Sequence, residues 1–221
     1  MKLTRFAQSC VLIETKGKKI LIDPGCLEYK ESYLENEWSN IDILLITHHH
    51  SDHCHEEAVK KIIENPNTKF HTTQEVLEHF PNLNPIIITE DDILEFDDIK
   101  VEVVKAVHGW IPAFKDNNKA VHQNVGYIID DGTKRVYHTS DTITFDNDYK
   151  CDILMAPISG RGVVMGPRNA AQLKLMVEAE VLIPIHSENP AYPVDWDEAK
   201  KEMAYHEVEP TILQIGESKE F

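Results

Sequence analysis

The chain has 221 residues, with 38 acidic against 22 basic side chains and a formal charge of −16. That balance argues against a broad nucleic-acid footprint, which needs clustered Lys and Arg, and no run of about 18 apolar residues is present to span a membrane. The length suits one α/β domain over residues 1–221, and no signal-peptide pattern opens it; the expectation is a cytoplasmic protein whose cysteines (Cys10, Cys26, Cys54, Cys151) stay reduced.

In chain order, "CVLIETKGKKILIDPG" (10–25) places two apolar runs around a turn-prone Lys-Gly-Lys and predicts a β-hairpin ending at Asp23-Pro24-Gly25. "IDILLIT" (41–47) is a short β-branched run of the kind that forms a buried strand, and "THHHSDHCH" (47–55) follows it directly. Ala58, Val59, Ile62 and Ile63 then recur at helical spacing up to Asn65-Pro66, which places Asp52 near a helix start. A strand near 68–72, a helix over 72–80 and strands at 85–89 and 99–108 come next, with His108 closing the last. After a polar insertion (109–123), "NVGYIIDDGTKRVYHTSDT" repeats the hairpin pattern with Asp141 just beyond it. "CDILMAPI" (151–158) and "EVLIPIH" (180–186) predict buried strands, "NAAQLKLMVEA" (169–179) a helix, and "DWDEAKKEMAYH" (195–206) a helix capped by Asp195 with Glu198.

The nine residues 47–55 hold five of the chain's 12 histidines. His48 and His50, two apart, can face one centre from a turning backbone, whereas Asp52 and His53, adjacent at a turn into a helix, diverge from that pair and favour a second centre. His108, Asp141 and His186 all fall at or just after predicted strand ends, where ligand sites of α/β proteins gather. Seven nitrogen and oxygen donors exceed what one catalytic ion takes; two ions sharing a carboxylate would use them all. Such crowding of imidazole and carboxylate is costly without a cation. His71, His79 and His206 read as ordinary hydrogen-bonded residues, and His49, Cys54 and His55 as bystanders of the tract.

Thr47, His48, His50, Asp52 and His53 match the Thr-His-x-His-x-Asp-His signature, and the chain resembles the metallo-β-lactamase superfamily. "ILIDPG", "AVHGW", "YHTSDT" and "IPIHS" are similar to its further motifs in order and spacing, and "APISGRGVVMGPRNAAQL" is similar to the branch of ascorbate-6-phosphate lactonase-like metal-dependent hydrolases. The resemblance implies a four-layer αβ/βα sandwich, a first ion on His48, His50 and His108, a second on Asp52, His53 and His186, and Asp141 bridging. Three departures from the branch stand out: Ala7-Gln8 for Gly-His, Ser140 for Gly and Ser187 for Tyr. A Cys in place of Asp141, the mark of true β-lactamases, is absent.

The implied cofactors are two divalent ions, Zn first, with Mn or Fe also suited to such ligands. Ions sharing a water would lower its pKa from about 15.7 toward roughly 7 and supply hydroxide at neutral pH. Asp52 and Asp141 are then the catalytic carboxylates, acting on an ester, lactone or phosphoester of a small anionic metabolite. Two alternatives stand beside this: a phosphodiesterase or nuclease acting on nucleic acid, and a non-catalytic metal-stabilised binding protein. Asp23 is expected to orient a ligand histidine, with a plain turn-forming role as the alternative, and His138 to support the site or fill the core. Arg161 and Arg168, in a glycine-flanked loop, and Trp110 and His122, on the insertion, are candidates for substrate contact. The sequence is compatible with a homo-oligomer.

Overall fold

The computed structural model describes residues 1–109, 120–160 and 163–221, so Trp110 and Arg161 lie outside the described residues. The chain divides into two compact units, residues 1–89 with 214–221 and residues 90–213.

The first unit is built on a seven-stranded sheet. Its strands are β1 (Lys2–Arg5), β2 (Val11–Thr15), β3 (Lys18–Ile22), β4 (Ile43–Leu45), β5 (Lys69–Thr72) and β6 (Ile86–Ile87), with the chain's last strand, β13 (Ser218–Glu220), beside β1. The order is β13-β1-β2-β3-β4-β5-β6, antiparallel as far as β3 and parallel beyond it. The β2–β3 hairpin forms as its sequence predicts: Lys16 and Gly17 both take positive φ (50° and 74°), the backbone that matches the twist of flanking strands. Every residue of β4 is buried, as expected of a parallel strand covered on both faces.

Helices α1 (Ser32–Glu35), α2 (Glu56–Ile63) and α3 (Gln74–His79) connect the parallel strands. Helix α2 begins four residues beyond Asp52, with His55 as its N-cap, acidic residues in its first turn and lysines in its last, the polarity its dipole favours. Its buried face, Ala58, Val59 and Ile62, joins a core with Phe6, Leu21, Leu44 and Trp38.

The second unit carries a six-stranded sheet in the order β12-β11-β10-β9-β8-β7. Strands β7 (Ile93–Phe96), β8 (Ile99–Lys105), β9 (Val125–Asp130) and β10 (Arg135–His138) pair antiparallel, whereas β10, β11 (Ile153–Pro157) and β12 (Val181–Ile185) pair parallel. Helix α4 (Pro167–Met176) opens on a proline, whose missing N–H costs nothing at a helix start. Helix α5 (Trp196–Ala204) is capped by Asp195, whose side chain accepts from the backbone N–H groups of Asp197 and Glu198, as the sequence predicts. Ala170 and Leu173 of α4 and Ala199 and Met203 of α5 bury against Ile128, Leu154 and Leu182 of the sheet.

Four elements escape the sequence reading: β1, α1, β7 and β13. Strand β13 is exposed at all three residues and carries no apolar signal; it exists because it pairs with β1, Lys2 opposite Glu220. No helix among the described residues is long and apolar enough to cross a membrane.

Candidate metal centre

In the first unit, neighbouring parallel strands deliver the site. Asp23 follows β3 and Thr47 follows β4, so both emerge at carboxyl ends where the sheet changes from antiparallel to parallel pairing. Asp23 is fully buried at φ 50°. Its Oδ1 accepts the Thr47 backbone N–H (2.8 Å), and its Oδ2 accepts both the Thr47 hydroxyl (2.8 Å) and Nδ1–H of His53 (2.7 Å). Because the Thr47 hydroxyl gives its proton to Asp23, its oxygen accepts from Nδ1 of His48 at 3.0 Å. One carboxylate thereby fixes the tautomers of two histidines and leaves Nε2 of each as the lone-pair nitrogen.

Nε2 of His48 lies 3.2 Å from Nδ1 of His50, and the His48 ring is 4.1 Å from that of His53. Two imidazole nitrogens turned toward each other are what a shared cation requires, and the donor atoms of Asp52 and His53 also lie within 4.8 Å of each other. The turn is held from outside. Cys26 N–H donates to Ser51 O (2.8 Å), His55 N–H donates to Pro24 O (2.9 Å), and a Cβ on Gly25 would overlap the Asp52 carbonyl. Only glycine lets the 23–26 loop lie this close to the tract.

The second unit contributes from three separate places. His108 lies three residues beyond β8, its Nδ1–H donating to Gly109 O at 2.8 Å. Asp141 follows β10 and His186 follows β12, parallel strands flanking β11. Asp141 Oδ2 lies 3.2 Å from Nε2 of His186 and 3.8 Å from Nε2 of His108. His186 turns that nitrogen inward because its Nδ1 bonds Ser159 Oγ at 3.1 Å. Ser140 (φ 60°) and His186 (φ 57°) both hold left-handed backbone, a strain that neighbouring contacts must outweigh. At Ser140 that contact is Asn124, which accepts the Ser140 hydroxyl (2.8 Å) and donates to the Asp141 carbonyl.

Asp23 thus orients a ligand candidate rather than merely forming a turn. His138 is fully buried in β10 and its Nδ1 accepts the Ser140 N–H (3.3 Å), so it serves both core and loop. His49 stacks on His79 at 3.7 Å and also meets the His50 ring edge-on at 5.1 Å, and Cys54 packs in the first unit's core. His55 caps α2 with its ring edge-on to Tyr29. Arg168 is exposed, its guanidinium paired with Glu202 (2.7 Å) and lying over Tyr205, which is the arrangement of a surface side chain. His122 is exposed as well. Asn124 and Ser159 are supports that pattern reading misses, since each is a lone polar residue joined to a ligand candidate only by the fold, and Gln8, noted in the sequence only as a departure from the branch pattern, donates to Asp52 Oδ2.

Burial pushes several other groups far from their usual ranges. Desolvation raises the thiols of Cys10 and Cys54, with Asp23 adding to each, and raises that of Cys151 to about 12; all three stay protonated and inert.

The donor set therefore fits divalent cations: buried imidazole nitrogens with fixed tautomers, and a carboxylate oxygen set between two histidines. Comparison with known proteins agrees. Residues 2–186 match the model of the beta-lactamase superfamily domain, and the chain belongs to this superfamily. It is 29% identical to a metal-dependent hydrolase of Anoxybacillus flavithermus over the full length of both. A metallo hydrolase from the archaeon Ignicoccus hospitalis has a similar structure (TM-score 0.76, 25% identity, 100% of this chain and 98% of that one). So does a metallo-beta-lactamase fold protein of Bacillus subtilis (TM-score 0.79, 17% identity, 99% and 98%), a likeness of fold alone. Within the superfamily the chain is an enzyme of the metal-dependent hydrolase class, and its fold is the metallo-β-lactamase sandwich.

Proposed function

We propose that the chain acts as a single catalytic domain, residues 1–221, holding two divalent ions, and that it hydrolyses an ester, lactone or phosphoester of a small anionic metabolite. As the family resemblance implies, His48, His50 and His108 would hold the first ion and Asp52, His53 and His186 the second, with Asp141 shared. The observation that carries this reading is Asp141, a carboxylate whose one oxygen lies between His108 and His186. Bound there, divalent ions supply Lewis acidity toward a substrate oxygen and lower the pKa of a water from about 15.7 toward roughly 7. Imidazole with carboxylate suits Zn, and also Mn or Fe.

The protein's own groups supply orientation and charge. Asp23 sets the donor nitrogens of His48 and His53; Ser159 and the Gly109 carbonyl set those of His186 and His108. Two divalent ions opposite the Asp52, Asp141 and Asp23 carboxylates would leave the loaded centre cationic by about one charge before hydroxide forms, which favours an anionic substrate group. The chain's charge of −16 repels extended polyanions and so supports a small substrate over nucleic acid. A cytoplasmic setting fits reduced cysteines.

The test is a panel of a lactone, a phosphorylated small-molecule ester, a thioester and a single-stranded oligonucleotide, run on metal-replete and chelator-stripped protein. Metal-dependent turnover of a small anionic ester or lactone is expected. Turnover of the oligonucleotide alone would overturn the small-substrate reading, and no turnover of any substrate class would favour a binding role.

A further inference from the structure

The tight turn between β1 and β2 carries a polar side chain that no part of the proposed mechanism uses. Phe6 N–H donates to Cys10 O (2.8 Å) and Cys10 N–H to Ala7 O (3.1 Å), which closes the chain around residues 7–9. At its tip Gln8 holds left-handed backbone (φ 56°) and is fully buried, as is Ser9. A long, flexible amide buried on a strained backbone costs both conformational entropy and desolvation, so its contacts must offset both. One of those contacts is specific: Gln8 Nε2 donates to Asp52 Oδ2 at 2.9 Å.

We infer that Gln8 is a positioning residue for Asp52, one that engages Oδ2 and so fixes the orientation in which the carboxylate meets a cation. A carboxylate on a short side chain can rotate between orientations; a donor fixed on one oxygen restricts that rotation. An amide suits this task because it stays neutral and carries N–H donors at every working pH, whereas an imidazole changes charge and a carboxyl group loses its proton. The contact also ties Asp52 to a second element of the first unit, beyond the Pro24–Cys26 loop that packs on its backbone. This inference rests on the proposal that Asp52 is a metal ligand.

The experiment is calorimetric titration of metal-stripped protein with Zn2+, comparing wild type, Gln8→Met, Gln8→His and Asp52→Asn, with far-UV circular dichroism as the check on folding. Gln8→Met keeps the length but removes the donor and is expected to weaken one class of Zn2+ sites by about 10–100-fold while leaving the other unchanged. Gln8→His restores an N–H donor and is expected to recover most of that loss, which a purely packing role would not predict. Should Gln8→Met misfold, the Gln8→His titration still decides, since affinity within about 10-fold of wild type in both site classes is expected there and a larger loss contradicts the inference. Unchanged Zn2+ affinities in folded Gln8→Met overturn it alone if Asp52→Asn does lose a site. If Asp52→Asn loses no site, the ligand assignment of Asp52 falls, and the inference falls with it.

Discussion

The two units contribute to the same proposed chemistry in opposite ways. In the first, four ligand candidates lie between positions 48 and 53, and a single buried carboxylate, Asp23, governs Thr47, His48 and His53 together. In the second, His108, Asp141 and His186 come from three strand ends, each with its own local partner: the Gly109 carbonyl, Asn124 and Ser159. The first arrangement is written in a short stretch of chain and has one point of failure; the second is written in the sheet's connections and fails piecemeal.

That contrast can be broken by substitution. Asp23→Ala strips acceptors from two Thr47 donors and from His53 inside a buried region, at about 1–3 kcal/mol for each group left unsatisfied. A loss on the order of 3 kcal/mol in urea unfolding is expected, with weakened binding of both ions because His48 and His53 lose their orientation together. A loss below about 1 kcal/mol would show that Asp23 is not the common support. Ser159→Ala, by contrast, removes one bond to His186 and is expected to cost about 1 kcal/mol in stability. Metal titration should show about a 10-fold loss confined to one ion, and equal losses at both would contradict independent supports in the second unit.

The smallest effect concerns pH. Burial holds the His71 imidazole below its usual pKa of 6.5, so the unfolded chain takes up that proton first. Its contribution to stability is complete above the unfolded value and is lost as the pH falls from there toward the folded one. In chelator-treated protein, where ion release plays no part, wild type should lose stability over this window more steeply than His71→Leu. Parallel stability curves for the two would contradict the assignment.

Sequence made the contiguous half of the site readable because ligand spacing along a turning backbone is itself the signal: His48, His50, Asp52 and His53 need no fold to be noticed. His108, Asp141 and His186 were legible as strand-end residues once the apolar runs before them were seen. Asn124 and Ser159 were not, since a lone polar residue in a loop looks like any other until the fold carries it to a ligand candidate, and Gln8 stood out only as a departure from the branch pattern, without its partner Asp52. The same applies to β13, whose three exposed residues become a strand only through β1. Arg168 shows the opposite case: a glycine-flanked arginine suggests substrate contact, and the fold pairs its guanidinium with Glu202 of α5.

The central claim is that two ions share Asp141, and the direct measurement is metal content by mass spectrometry together with turnover for wild type and Asp141→Asn. Near two ions per chain are expected in wild type. The variant, folded by circular dichroism, should retain fewer and lose at least about 100-fold in kcat, since a bridging carboxylate serves both ions. Absence of bound metal under replete conditions, or unchanged metal content and turnover in the variant, would contradict the account.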